Sequence, residues 1–244
     1  MIINKNYELI SGESNGKITI WNMSNDINLR QLPGHTNAIR QLIINKNDEL
    51  ISASWDHSIK IWNMSTGECK KTLIGHSNNV YALIINQYDE LVSSANDKTI
   101  KIWNMTTGEL KRTFDNLGNT QSALVINKDG ELISGSWDNT IRIWNMTTGE
   151  CKRTLNGHLD GVYSLVINKY EELISGSNDT KIKIWNMTTG ECKRTLIGHS
   201  QNAFTLLINE DDELISGSWD NSIKIWNMTT GECKRTLIGH TNRL

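Results

Sequence analysis

The sequence predicts an all-β protein, a six-bladed propeller with four antiparallel strands in each blade. Three observations predict it. The phrase Ile-Trp-Asn-Met recurs six times, with its tryptophans at Trp21, Trp62, Trp103, Trp144, Trp185 and Trp226. The spacing is 41 residues throughout, and six such units fill the 244-residue chain to within two residues. Each unit then breaks into four short apolar or alternating runs separated by turn residues. A constant period in the forties belongs to propeller blades, because one small sheet cannot bury its faces alone and must stack on a neighbour.

The third unit justifies the four strands in order. Val80-Tyr81-Ala82-Leu83-Ile84-Ile85 is apolar enough for an inner strand covered on both faces, and Asn86 to Asp89 is a polar turn. Glu90 to Ser94 reads as a second strand, followed by a tight turn at Asn96-Asp97-Lys98. Thr99-Ile100-Lys101-Ile102-Trp103 alternates cleanly, as a strand with one more exposed face does. Thr107-Gly108 is a turn whose glycine accepts positive φ, and Glu109 to Phe114 is a charged outer strand whose charges blunt an exposed edge. Over the whole chain this gives one domain, 1–244, with repeats near 1–34, 35–75, 76–116, 117–157, 158–198 and 199–240. Residues 241–244 are expected to complete the inner strand of the first blade. A monomer is expected, with exchange of ends between chains as the alternative.

Composition narrows the function classes. The apolar fraction of 37% is low for one compact core but suits stacked sheets with polar rims. The net charge is −2 with mixed signs and no basic tract, which argues against nucleic acid as a partner. No apolar run approaches a membrane span, and Met1 is not followed by a signal-peptide pattern. Cys69, Cys151, Cys192 and Cys233 share one repeat position, too far apart on separate blades to bond, so reduced thiols are expected. A cytoplasmic location follows as the expectation, with the nucleus left open. There is no zinc-ligand spacing, phosphate loop or nucleophile beside a base, so neither an enzyme nor a metal or cofactor site is expected.

Gly75-His76, Ser93, Asp97 and Trp103 together resemble the WD40-repeat family, and the likeness extends over the full chain. In that family the four side chains form a buried hydrogen-bonded tetrad. The resemblance implies such sets at His35, Ser52, Asp56 and Trp62; at His76, Ser93, Asp97 and Trp103; at His158, Ser175, Asp179 and Trp185; and at His199, Ser216, Asp220 and Trp226. A buried indole N–H needs an acceptor, and an imidazole can join hydroxyl to carboxylate. Two units depart: the fourth has Leu117 where histidine is expected, beside Ser134, Asp138 and Trp144. The first has Asn15 in place of the aspartate, beside Ser11 and Trp21, and is expected to borrow His240. In all six units asparagine replaces the aspartate of the family's name.

What varies on this fixed frame points to a surface. The residue before the turn aspartate is Trp55, Asn96, Trp137, Asn178 and Trp219 in units two to six, so tryptophan alternates with asparagine. Five residues after the histidine site stand Arg40, Tyr81, Ser122, Tyr163 and Phe204. In WD40-like propellers the resemblance places the pre-aspartate position on the top face, and the second is read there too. Exposed aromatics carry much of the energy of protein interfaces, so the expected function is a scaffold that binds a protein or peptide segment there, with Arg40, Asn96 and Asn178 orienting it. The competing reading of these tryptophans is packing over the neighbouring blade. Two alternatives of function are a carbohydrate-binding propeller with repeated Trp-Asp sites and a purely structural module of a larger assembly.

Overall fold

In the computed structural model, which describes residues 1–24, 27–115 and 117–241, every unit folds into one four-stranded antiparallel sheet. Blade 1 comprises Ile2–Ile3, Glu8–Gly12, Ile18–Asn22 and Ile27–Leu32; blade 2 comprises Ile39–Ile44, Glu49–Ser54, Ile59–Asn63 and Cys69–Leu73. Blade 3 is Val80–Ile85, Glu90–Ala95, Ile100–Asn104 and Leu110–Phe114. Blade 4 is Gln121–Ile126, Leu132–Ser136, Ile141–Trp144 and Cys151–Leu155. Blade 5 is Val162–Ile167, Glu172–Ser177, Ile182–Asn186 and Cys192–Leu196, and blade 6 is Ala203–Ile208, Leu214–Ser218, Ser222–Trp226 and Cys233–Ile238. Within each blade the strands, here a to d, pair in chain order, and the described residues contain no helix. The fold class is the expected one: an all-β, six-blade propeller.

Packing divides the chain into two compact units, 1–121 and 122–244. In the first, Ile10, Ile18, Ile20 and Leu32 of blade 1 pack against Leu42, Leu50, Trp62 and Met64 of blade 2, and the same pattern recurs between blades 2 and 3. The second unit repeats it between blades 4 and 5 and between blades 5 and 6. Each blade thus has a leading face, built from strand-a apolars, the strand-b leucine and the Trp and Met of the repeated phrase. Its trailing face carries isoleucines of strands b and c and the apolar residue that ends strand d. Period-two alternation sends these two sets to opposite sides of one sheet.

The turns are set by asparagine. In the a–b turn of blade 2, Asn45 Oδ1 accepts from the amides of Asn47 and Glu49 at 3.0 and 2.9 Å. Its Nδ2 donates to the Glu49 carboxylate, which Lys70 of strand d also meets. In the c–d turn of blade 3, Asn104 Oδ1 accepts from the amides of Thr106 and Thr107 at 2.8 and 3.0 Å. Asn22, Asn63, Asn145, Asn186 and Asn227 cap their turns in the same way. The asparagine of the repeated phrase is therefore a turn cap, a role the sequence reading did not assign.

The four cysteines are free and exposed on the outer strands. Beyond residue 241, the segment expected to complete blade 1 lies outside the described residues. His240, expected to serve the first tetrad, is exposed.

Candidate interaction surface

The four complete tetrads form as the spacing requires. Trp62 Nε1 donates to Ser52 Oγ at 2.8 Å, Ser52 Oγ lies 2.7 Å from His35 Nε2, and His35 Nδ1 lies 2.7 Å from Asp56 Oδ2. In the sets of Trp103, Trp185 and Trp226 the same three contacts measure 2.7 to 2.9 Å. The geometry suits a neutral imidazole that donates from Nδ1 to the carboxylate and accepts the serine hydroxyl at Nε2. Burial holds His35, His76 and His199 below the ordinary imidazole range despite the adjacent carboxylates.

The aspartates are heavily used. Burial pushes the Asp56 carboxyl up, but the Ser58 hydroxyl, the Thr36 amide and His35 outweigh it and hold it down to about 2. Asp179 is opposed by burial in the same way, and His158 and the Leu159 amide hold it down to about 2. Asp97 and Asp220 are also held well below the carboxylate range. Each side chain locks the turn between strands b and c to the loop before strand a.

The two departing units solve the problem differently. In blade 4, Asp138 takes Arg142 as its cationic partner, with Nη2 2.7 Å from Oδ2, while Trp144 Nε1 still donates to Ser134 Oγ at 2.8 Å. Blades 2, 3, 5 and 6 carry lysine at the Arg142 position, and there it reaches a strand-d threonine, as Lys60 reaches Thr72 at 2.9 Å. In blade 1, Trp21 donates to Ser11 at 2.9 Å, and Glu13 accepts from Asn15 and Thr19.

The expected interface residues lie at the b–c end of the blades, and a backbone feature presents them. Strand a carries a bulge in blades 2, 3, 5 and 6, and the residue skipped by the pairing is Arg40, Tyr81, Tyr163 and Phe204 in turn. A bulge swings its extra side chain out of the regular alternation. Nothing in the alternation of the sequence signals it.

The bulge residues meet the tryptophans. In the first unit, Trp55 and Tyr81 have ring centroids 6.3 Å apart, and the Arg40 guanidinium sits 5.7 Å from the Tyr81 ring centre. In the second unit Trp137, Tyr163, Phe204 and Trp219 form a continuous row, with successive centroids 6.0, 5.3 and 5.6 Å apart. All of these rings are half-buried. The asparagines behave otherwise. Asn96 accepts the Thr120 hydroxyl at 2.5 Å, and Asn178 bonds to Asn202 and donates to Asp160 at 2.8 Å. They are tied into polar contacts between loops.

The opposite end offers a different surface. A crevice of about 630 Å³ there, between blades 5 and 6, is lined by Lys193, Lys234, Lys169 and their carboxylate partners Glu172, Glu213 and Asp212. These three lysines and three carboxylates form ion pairs with one another. Among the described residues, no group of three or more His, Cys, Asp or Glu is placed to hold a metal ion.

Residues 27–63, 67–104, 108–145, 149–186 and 190–227 match the family described as WD domain, G-beta repeat. The chain is a WD40-repeat protein. No curated protein matches it at a significant level. Each matched WD40 segment runs from strand d of one blade through strand c of the next, so the sequence repeat and the blade are offset by one strand. Strands a to c of blade 1 precede the first match. WD40 propellers generally serve as non-catalytic protein-interaction scaffolds.

Proposed function

We propose that this WD40 protein is a non-catalytic scaffold that binds a protein or peptide segment at the b–c end of its blades, over the aromatic residues. The observation that carries the reading is the strand-a bulge, which lifts Arg40, Tyr81, Tyr163 and Phe204 beside Trp55, Trp137 and Trp219. A bulge costs ladder hydrogen bonds, and repeating it in four blades at an aromatic or arginine position suits contact with a partner. The cytoplasm is the compartment that suits four exposed free thiols.

Two features count against carbohydrate. The rings of Tyr163, Phe204 and Trp219 stack on one another at 25° to 29°, so the faces a sugar would cover are taken by neighbouring rings. Asp56 and Asp220, the expected hydroxyl binders, already accept several hydrogen bonds inside the protein.

The test compares pull-downs from cell extract by the wild-type chain and by the triple variant Trp55→Ala, Trp137→Ala, Trp219→Ala, with folding followed by thermal melting. Loss of the bound proteins with the fold retained is the expected outcome. Retention of the same proteins makes the tryptophans packing residues and removes this surface from consideration.

A further inference from the structure

Asparagine followed by glycine occurs twice in the chain, at Asn15-Gly16 and at Asn156-Gly157. Such a pair is open to self-modification, because glycine has no side chain to shield its amide nitrogen from the asparagine before it. The fold treats the two copies differently. At the first, both reacting groups are engaged. Asn15 Oδ1 accepts the Lys17 amide at 2.9 Å, and Nδ2 donates to the Glu13 carboxylate at 3.1 Å. The Gly16 amide donates to the Glu13 carbonyl at 3.2 Å. Gly16 is buried, and a Cβ there would stand 2.5 Å from the His35 carbonyl oxygen. The turn holds side chain and amide apart and leaves no room for a ring to close between them.

At the second, Asn156 and Gly157 are both exposed, in the loop from strand d of blade 4 to strand a of blade 5. Among the described residues, neither the Asn156 side chain nor the Gly157 amide has a hydrogen-bond partner. After strand d of blades 2 and 5 the same position is Ile74 and Ile197, so the loop does not require asparagine.

We propose that Asn156 is a site of spontaneous deamidation whose product loosens the tetrad of blade 5. The Gly157 nitrogen gives its proton to solvent and attacks Asn156 Cγ. The new C–N bond forms, the Cγ–Nδ2 bond breaks, and the nitrogen leaves as ammonia, giving a five-membered succinimide. Water then opens the ring. Cleavage at Cγ restores the main chain with an aspartate, and cleavage at the main-chain carbonyl carbon routes the chain through Cβ and Cγ as isoaspartate. One water is consumed for each ammonia released, and nothing is oxidised or reduced. Isoaspartate lengthens a segment pinned at both ends. Leu155 before it is buried in the core shared by blades 4 and 5. His158 after it lies 2.7 Å from Ser175 Oγ and 2.8 Å from Asp179 Oδ2. A Cβ on Gly157 would meet the Trp185 ring at 3.2 Å, so the added length has to displace either the indole or the imidazole. The site is independent of the partner surface at the b–c end.

Incubation of the whole chain at mildly alkaline pH tests this, folded and, in parallel, unfolded in guanidinium chloride. Mass spectrometry of chromatographically separated peptides follows aspartate and isoaspartate at each pair, and the unfolded chain gives the rate without structure. In the folded protein Asn156 is expected to convert at close to that rate, and Asn15 at least several-fold more slowly. The melting temperature is expected to fall as isoaspartate accumulates at Asn156. Asn156→Ile, which carries the residue of the other repeats, is expected to keep its melting temperature through the same incubation. Folded Asn156 protected as strongly as Asn15 overturns the modification site. A melting temperature that stays constant while isoaspartate accumulates, or that falls equally in Asn156→Ile, overturns its effect on the tetrad.

Discussion

Arg142 shows how one side chain repairs a broken pattern. Where the repeat offers leucine at position 117 instead of histidine, the strand-c residue changes from lysine to arginine and turns to Asp138. Arginine is suited to this because its charge does not titrate and its planar fork meets a carboxylate edge-on. Burial raises the Asp138 carboxyl, but Arg142 first, then Thr140 and Ser136, bring it below the usual range. Arg142→Met is expected to cost about 1.5–3 kcal/mol, the scale of a lost hydrogen bond to a charged group. Lys60→Met, which removes only an exposed contact to Thr72, should cost less. Urea unfolding of the two variants side by side checks the order, and equal losses would deny Arg142 its special role.

At the scale of the element, the hairpin between strands c and d depends on one residue with a left-handed backbone. Gly108 has φ of 84° and its amide donates to the Asn104 carbonyl at 2.8 Å, closing the turn that Asn104 Oδ1 also caps. A Cβ there would meet Leu73 Cδ2 at 3.4 Å and Lys71 Cδ at 3.6 Å, ordinary contacts, so space is not the constraint. The backbone is. Gly108→Ala should cost about 1–2 kcal/mol, the penalty of the left-handed region for an L-residue with a side chain. A drop in melting temperature measures it, and an unchanged melting temperature would mean the turn relaxes to another conformation. The a–b and b–c turns place Asp48, His57, Asp89 and Asn139 in the same backbone region without glycine, helped at three of these four positions by the tolerance of Asp and Asn for it.

For the whole molecule, the repeated tetrads make acid stability a two-stage property. The folded protein keeps His35, His76 and His199 neutral below the pH at which free imidazole takes up a proton, near 6.5. As pH falls through that value the unfolded chain binds protons that the folded chain refuses, so stability declines. A second decline begins near 3.8, the unperturbed aspartate value, and continues toward about 2, where folded Asp56 and Asp179 protonate. Both signs agree: a depressed pKa contributes stability above the unfolded value and loses it below. The urea midpoint should therefore fall first across the imidazole range and again across the carboxylate range. A midpoint flat across the imidazole range would contradict neutral histidines in the tetrads.

Most of the fold was legible because a period of 41 residues leaves few architectures open, and strand boundaries in blade 3 fell within a residue of those expected. The tetrads were legible too, since four residue types at fixed offsets need only correct strand pairing to meet. The aromatic positions could be found by comparing repeats, but their geometry could not. Pairing alone decides that strand a bulges at Arg40, Tyr81, Tyr163 and Phe204, and a bulge leaves no mark on the apolar alternation. Asn96 and Asn178, which sequence position groups with the tryptophans, are drawn instead into bonds with Thr120, Asn202 and Asp160. The sequence determined the blade, its turns and its internal hydrogen bonds, since these act over short and repeated distances. Tertiary structure decided which side chains a bulge presents and which polar partners Asn96 and Asn178 meet, because both depend on what lies across the sheet and in the neighbouring loop.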